Sequence, residues 1–193
     1  SPWINYCHDI YVENDTAWIN SGAAGLFVMH IDETPSVIGT LTDYPSQGGN
    51  HSGWWIPEDH VYVLADETHG SPLKVIDTSD LSDLQVVSLL SSEVNPQSIP
   101  HNMMMRDGLV FVSYYHDGLQ VFDVRTPEEP KRIAWFDTFI ETSHAGFAGA
   151  WGVHSALPSG KILISDIKNG LFVLELAAEI TEVCPTVPSD GMD

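Results

Sequence analysis

The chain has 193 residues, enough for one domain with a buried core. With 27 acidic and 7 basic residues its formal net charge is −20, which argues against nucleic acid and anionic membrane surfaces as partners. No apolar run is long enough to span a bilayer, and the opening Ser1-Pro-Trp-Ile-Asn-Tyr6 is not a secretory leader, so the sequence reads as a processed or truncated product.

Taken in chain order, the sequence divides into units of four predicted strands. First strands begin at His8-Asp-Ile-Tyr-Val12, His51-Ser-Gly-Trp-Trp-Ile56, His101-Asn-Met-Met-Met105 and Trp151-Gly-Val-His154. Turn formers follow each: Glu13-Asn-Asp15, Pro57-Glu-Asp59, Arg106-Asp-Gly108 and Pro158-Ser-Gly160. Second strands are β-branched and aromatic: Thr16–Ile19, His60–Leu64, Leu109–Ser113 and Lys161–Ser165. Third strands carry the clearest repeat, Gly25-Leu-Phe-Val-Met-His-Ile-Asp32, Pro72-Leu-Lys-Val-Ile-Asp77, Gly118-Leu-Gln-Val-Phe-Asp123 and Gly170-Leu-Phe-Val-Leu-Glu175. Fourth strands are Val37–Leu41, Gln85–Leu90 and Arg132–Phe136, with Ile180–Cys184 as the candidate in the last unit.

The repeat places leucines at 26, 73, 119 and 171, hence 47, 46 and 52 residues apart. A period of 40–50 residues with several short strands per unit is the signature of β-propeller blades. The predicted fold is therefore all-β, a propeller of four-stranded antiparallel blades over about 7–45, 50–92, 100–140 and 150–178, followed by a tail over 179–193. No long helical period appears, and the loops between blades are rich in Gly, Pro and Ser. Asp32, Asp77 and Asp123 are expected to cap turns through nearby backbone N–H groups. Met103-Met-Met105 reads as core, with two of the three side chains on one face.

Two sets of residues offer chemistry. His8, His51 and His101, with Trp151, hold one place in successive units, and equivalent blade positions converge near a propeller axis. Three neutral imidazoles there suit a transition metal, with Asp9 and Asn102 as orienting partners; the alternative is that each His hydrogen-bonds the neighbouring blade and fixes its register. The second set lies after the second strands: Asp66, Glu67 and His69, then Tyr114, Tyr115, His116 and Asp117, then Asp166. Loop carboxylates of this kind can build an oxygen-rich calcium site, or act only as solvated turn caps. A divalent ion, calcium or a transition metal, is thus the one cofactor the sequence suggests. No Gly-x-Ser-x-Gly elbow, phosphate-binding glycine loop or Cys-x-x-Cys pair is present. Cys7 and Cys184 are either a disulfide joining the first and last segments or two unrelated thiols.

The ordered set Tyr6-Cys-His-Asp9, His51-Ser-Gly-Trp-Trp55, Leu64-Ala-Asp-Glu67, His101-Asn-Met103, Ser113–Asp123, Phe147–Gly152, Leu157–Asp166 and Asn169–Leu174 resembles the choice-of-anchor B family of LVIVD-repeat proteins, over nearly the whole chain. The resemblance implies an exported bacterial β-propeller at the cell surface, without an established catalytic activity, of which this chain is similar to the C-terminal part. It leads to the expectation of a binding or scaffold module for an unknown protein or surface ligand, as part of a larger assembly. The alternative is a metal-dependent enzyme using the His cluster at the channel mouth.

Overall fold

The computed structural model describes residues 4–141 and 146–177. Its strands are β1 (Asp9–Glu13), β2 (Thr16–Asn20), β3 (Leu26–His30), β4 (Ser36–Leu41), β5 (Asn50–Ile56), β6 (Val61–Asp66), β7 (Leu73–Asp77), β8 (Gln85–Leu90), β9 (Met103–Arg106), β10 (Leu109–Ser113), β11 (Leu119–Asp123), β12 (Lys131–Phe136), β13 (Ala150–His154), β14 (Ile162–Asp166) and β15 (Gly170–Leu174). They form four antiparallel meanders, β1–β4, β5–β8, β9–β12 and β13–β15. The fourth sheet has three strands among the described residues, and the candidate strand Ile180–Cys184 lies outside them, as does Cys184 itself.

The central strands of the second and third sheets are buried on both faces because each of these two sheets is sandwiched between two others. That explains why β6 and β10 read as near-continuous apolar runs rather than as alternating ones. Between the first and second sheets Trp18 stacks on Tyr62, with ring centroids 4.4 Å apart, and packs on Trp55. The Tyr62 hydroxyl and the Asn20 side chain hydrogen-bond each other there. Between the second and third, Val61, Val63 and Val75 meet Met103, Met105, Val110 and Phe122, so two of the three consecutive methionines are core. Between the third and fourth, Phe111 and Val121 meet Ile162 and Ile164.

The turn aspartates behave as their sequence context requires. Asp32 accepts the N–H of Thr34 at 2.7 Å, Asp77 that of Ser79 at 2.9 Å, and Asp123 that of Arg125 at 3.1 Å. These bonds to backbone N–H, and for Asp123 above all the Arg125 guanidinium, hold the Asp77 and Asp123 carboxyls below the usual carboxylate range.

Candidate functional site

His8, His51, His101 and Trp151 form a single row of rings across the four sheets. Centroids are 4.3 Å apart from His8 to His51, 4.4 Å from His51 to His101 and 4.1 Å from His101 to Trp151. Local backbone geometry produces this convergence. The register of β5 against β6 slips between Asn50 and Ser52, and that of β13 against β14 between Ala150 and Gly152, so His51 and Trp151 are the extra residues of β-bulges. A bulge re-aims a side chain out of the strand's alternation. His8 and His101 lie just before β1 and β9, with their N–H groups donating to Asn20 O and Ser113 O.

Between the rings sits Glu67, which follows β6. Its Oε2 is 3.8 Å from His51 Nε2 and its Oε1 is 3.7 Å from His101 Nε2. The Tyr115 hydroxyl donates to Oε1 at 2.5 Å and so fixes the carboxylate. Burial, then this bond to Glu67, pushes the Tyr115 phenol up. Tyr115 itself has φ +35°, a conformation bulky residues rarely adopt, and it packs edge-on against His101 and Trp151. Burial, reinforced by the neighbouring His101 imidazole, pushes His51 down to about 4, and burial lowers His101 as well. Both rings are therefore neutral at physiological pH, the state in which imidazole ligates metals. The Nδ1 atom of His51 is buried and has no hydrogen-bond partner among the described residues.

Among the described residues, the one group of three ligating side chains whose donor atoms all lie within 4.8 Å of one another is His8, His51 and Glu67. The two sets read from the sequence thus divide differently in space. Glu67 joins the histidines. Asp66 is buried and receives the Lys74 ammonium at 2.5 Å, the Tyr44 hydroxyl at 2.9 Å and the Gly48 N–H at 3.0 Å. Asp166 receives the Thr138 hydroxyl at 2.7 Å and the N–H groups of Lys168 and Asn169. His116 stacks on Phe139, 4.3 Å between centroids. These three lie in three different sheets or loops and join no ligating group of this kind among the described residues. Glu67 was missed as a partner of the histidines because its links to His8 and His101 cross between sheets and its link to His51 crosses from one strand to the next, and sequence distance carries no trace of either.

His101 also satisfies the register role. Its Nδ1 lies 2.5 Å from Trp151 O, joining the third sheet to the fourth. The Ser113 hydroxyl reaches the same carbonyl at 2.8 Å, and the Ser52 hydroxyl donates to His101 O one sheet earlier. The Asn102 backbone N–H donates to Ser113 Oγ, and the Asp9 carboxylate accepts the N–H of Ile10. Ser113→Ala is expected to cost about 1–3 kcal/mol, because the Asn102 N–H loses its acceptor and the Trp151 carbonyl one of its donors, measured by urea unfolding; a loss below about 0.5 kcal/mol would show that the hydroxyl bridge contributes nothing.

No family model matches this sequence, and no curated protein matches it. Solved structures do. The computationally designed protein Ika4 is similar over 89% of this chain and 91% of its own, at 10% identity and a TM-score of 0.62. The WD40 β-propeller domain of Doa1 is similar over 88% of this chain and 51% of its own, at 11% identity and a TM-score of 0.61. The designed Ika8 protein is similar over 86% and 47%, at 13% identity and a TM-score of 0.53. This chain therefore spans about half the length of the latter two. At such identities the likeness speaks for the fold alone, and with the four antiparallel meanders it identifies the chain as a β-propeller.

Proposed function

We propose that the chain is a binding module whose recognition site is the axial ring row, and that this site holds a divalent transition metal through His8, His51 and Glu67. One observation carries the reading: two imidazoles and a carboxylate from two sheets present donor atoms within 4.8 Å of one another. Zinc bonds to nitrogen and carboxylate oxygen at about 2.0–2.2 Å, so donors on one ion stand roughly 3–4 Å apart, which His51 and Glu67 approach at 3.8 Å. Tyr115 supplies the outer hydrogen bond that orients a ligating carboxylate. Mixed nitrogen and oxygen donors suit zinc or another transition metal better than calcium, which takes six to eight oxygens.

Kinship with the choice-of-anchor B family, export and display at the bacterial cell surface belong to the same reading. They rest on the ordered sequence resemblance over Tyr6–Leu174. The high negative charge suits a solvated surface module and local attraction of cations.

A metal-dependent enzyme is the second reading, favoured by the count of ligands. Three protein ligands leave a fourth position for water on a tetrahedral ion, the arrangement of catalytic rather than structural zinc.

The test is metal content by mass spectrometry and titration calorimetry with zinc alone. One ion per chain is expected, with affinity falling at least about 100-fold in His51→Ala and about 10-fold or more in Tyr115→Phe, as for loss of a ligand and of its orienting partner. Equal zinc affinity in wild type and His51→Ala would refute the metal site. A metal-free protein whose far-UV spectrum and unfolding are unchanged by zinc would leave the binding module without an ion.

A further inference from the structure

A cleft of about 450 Å³ adjoins the ring row, lined from the innermost strands of all four sheets, β1, β5, β9 and β13. It therefore lies on the axis, and further blades around that axis would add walls without removing these. His8 and His51 stand at one end. Tyr11 and Trp54, three residues further along the same two strands, stand at the other, with their rings 4.8 Å apart. Clefts of a few hundred Å³ with aromatic walls and a few polar groups are the sites of small ligands.

The lining calls for hydrogen bonds and offers little charge. His51 is 7% exposed, its Nε2 lies 3.8 Å from the Glu67 carboxylate, and its Nδ1 is the buried nitrogen without a partner among the described residues. Leaving such a nitrogen unpaired is costly, so the cleft favours a ligand that pairs with it. The Asn102 hydrogen bonds run through its backbone, from its N–H to Ser113 Oγ and to its carbonyl from the Ser113 hydroxyl, which leaves the side-chain amide for a ligand. Asp9 takes the Ile10 N–H on one carboxylate oxygen and has the other to offer. Among the described residues all four lining strands are edges of their sheets, and edge strands add unpaired N–H and C=O groups. No lysine or arginine lines the cleft, and Asp9 is its one carboxylate.

We infer that this cleft binds one small, uncharged, polyhydroxylated molecule, of the class of a single sugar ring, with His51 Nδ1, Asp9 and Asn102 as its hydrogen-bonding groups. A hydroxyl both donates and accepts, so it satisfies a carboxylate, an amide and a ring nitrogen of either tautomer without bringing charge. An anion would meet Asp9 on a chain of net charge −20, with no cation in the cleft to receive it. Trp54 and Tyr11 supply aromatic surface for the C–H face of such a ring. This assignment rests on the axial row being the recognition site, not on an ion being there.

Saturation-transfer NMR with glucose, galactose and mannose tests it, on chelator-treated protein and again with zinc added. At least one hexose is expected to bind with a dissociation constant of about 1 mM or tighter, and glucuronate, the same ring with a carboxylate, at least about 10-fold more weakly. Affinity is expected to fall about 10-fold or more in Asp9→Ala, which removes a charged acceptor, and about 3-fold or more in Asn102→Ala. Both side chains reach solvent, so neither change threatens the fold. The nitrogen NMR signal of His51 Nδ1 is expected to move when the hexose is added. Methyl glycosides, blocked at the anomeric oxygen as in a glycan, separate two sources of the same chemistry: their binding assigns a terminal glycan residue, and binding of free hexoses alone a free sugar. Equal hexose affinity in wild type and Asp9→Ala overturns the inference, as does binding of glucosamine alone, which marks a cation site. So does an Nδ1 signal that no sugar moves, the mark of a fixed water. No hexose binding at about 20 mM with zinc still bound overturns this inference and leaves the metal site standing, whereas hexose binding to a protein that takes no zinc supports it and overturns the metal alone.

Discussion

Asp66→Ala is expected to cost about 3–5 kcal/mol of folding free energy, a large share of the roughly 5–15 kcal/mol that holds a protein of ordinary stability folded. Both Asp66 and Lys74 are fully buried, and the ammonium and carboxylate meet at 2.5 Å. Lys74 Nζ is further held by Ser46 O at 2.9 Å, Ser71 Oγ at 2.7 Å and Pro72 O at 2.9 Å. Burial lowers the lysine and the Asp66 charge opposes that, so deleting the carboxylate strands a cation where water cannot reach it. The penalty comes from the stranded partner rather than from the pair as such. Lys74→Met added to Asp66→Ala should therefore recover most of the loss, the remainder being the bonds from Tyr44 and Gly48 that lose their acceptor. Urea unfolding of the four proteins gives the coupling. A double variant less stable than Asp66→Ala alone would show that the charge pair is not what holds this corner of the second sheet.

The second large effect is at the glycine that opens the third strand of the repeat. Gly118→Ala is expected to cost about 2–5 kcal/mol, combining the strain of an L-residue at φ +70° with forced displacement of packed backbone. A Cβ there would stand 2.2 Å from Phe136 O and 2.7 Å from Thr138 N, where the chain leaves β12. Gly25 is in the same position, with φ +87° and Leu41 O at 2.4 Å. Gly170 shares the conformation, at φ +85°, but a Cβ there meets nothing within 4 Å among the described residues. Gly170→Ala should then cost only the backbone strain, about 1–2 kcal/mol. Thermal or urea unfolding of the two variants side by side decides the matter; equal losses would mean that φ alone, and not the close approach of the fourth strand, sets the requirement.

These glycines show how much of the fold is legible in the sequence. The Gly-Leu start, the apolar run and the closing Asp recur because each blade makes the same tight entry, the same doubly covered strand and the same capped turn. Blade 2 substitutes Pro72 for the glycine without losing the strand. The strand predicted from His60 starts at Val61, because His60 takes φ +53° and closes the turn with an N–H bond to Pro57 O. The site was half legible. Equivalent positions 8, 51, 101 and 151 were visible from the period alone, and their rings do meet. Asp66, Glu67, His116 and Asp166 share a similar place after the second strands, yet only Glu67 reaches the histidines.

By itself the sequence determined the blade repeat, the strand order within each blade, the capped turns and the row of axial residues, since all of these follow from local pattern and a fixed period. Only the tertiary structure decided which way single side chains point. Adjacent residues such as Asp66 and Glu67 leave a strand end in opposite directions, one into a buried ammonium and the other towards two imidazoles, and period-two alternation broken by a bulge cannot be read from residue types. The tertiary structure likewise decided that the four sheets pack in series among the described residues, because the angle between sheets is a quantity that no single blade's sequence encodes.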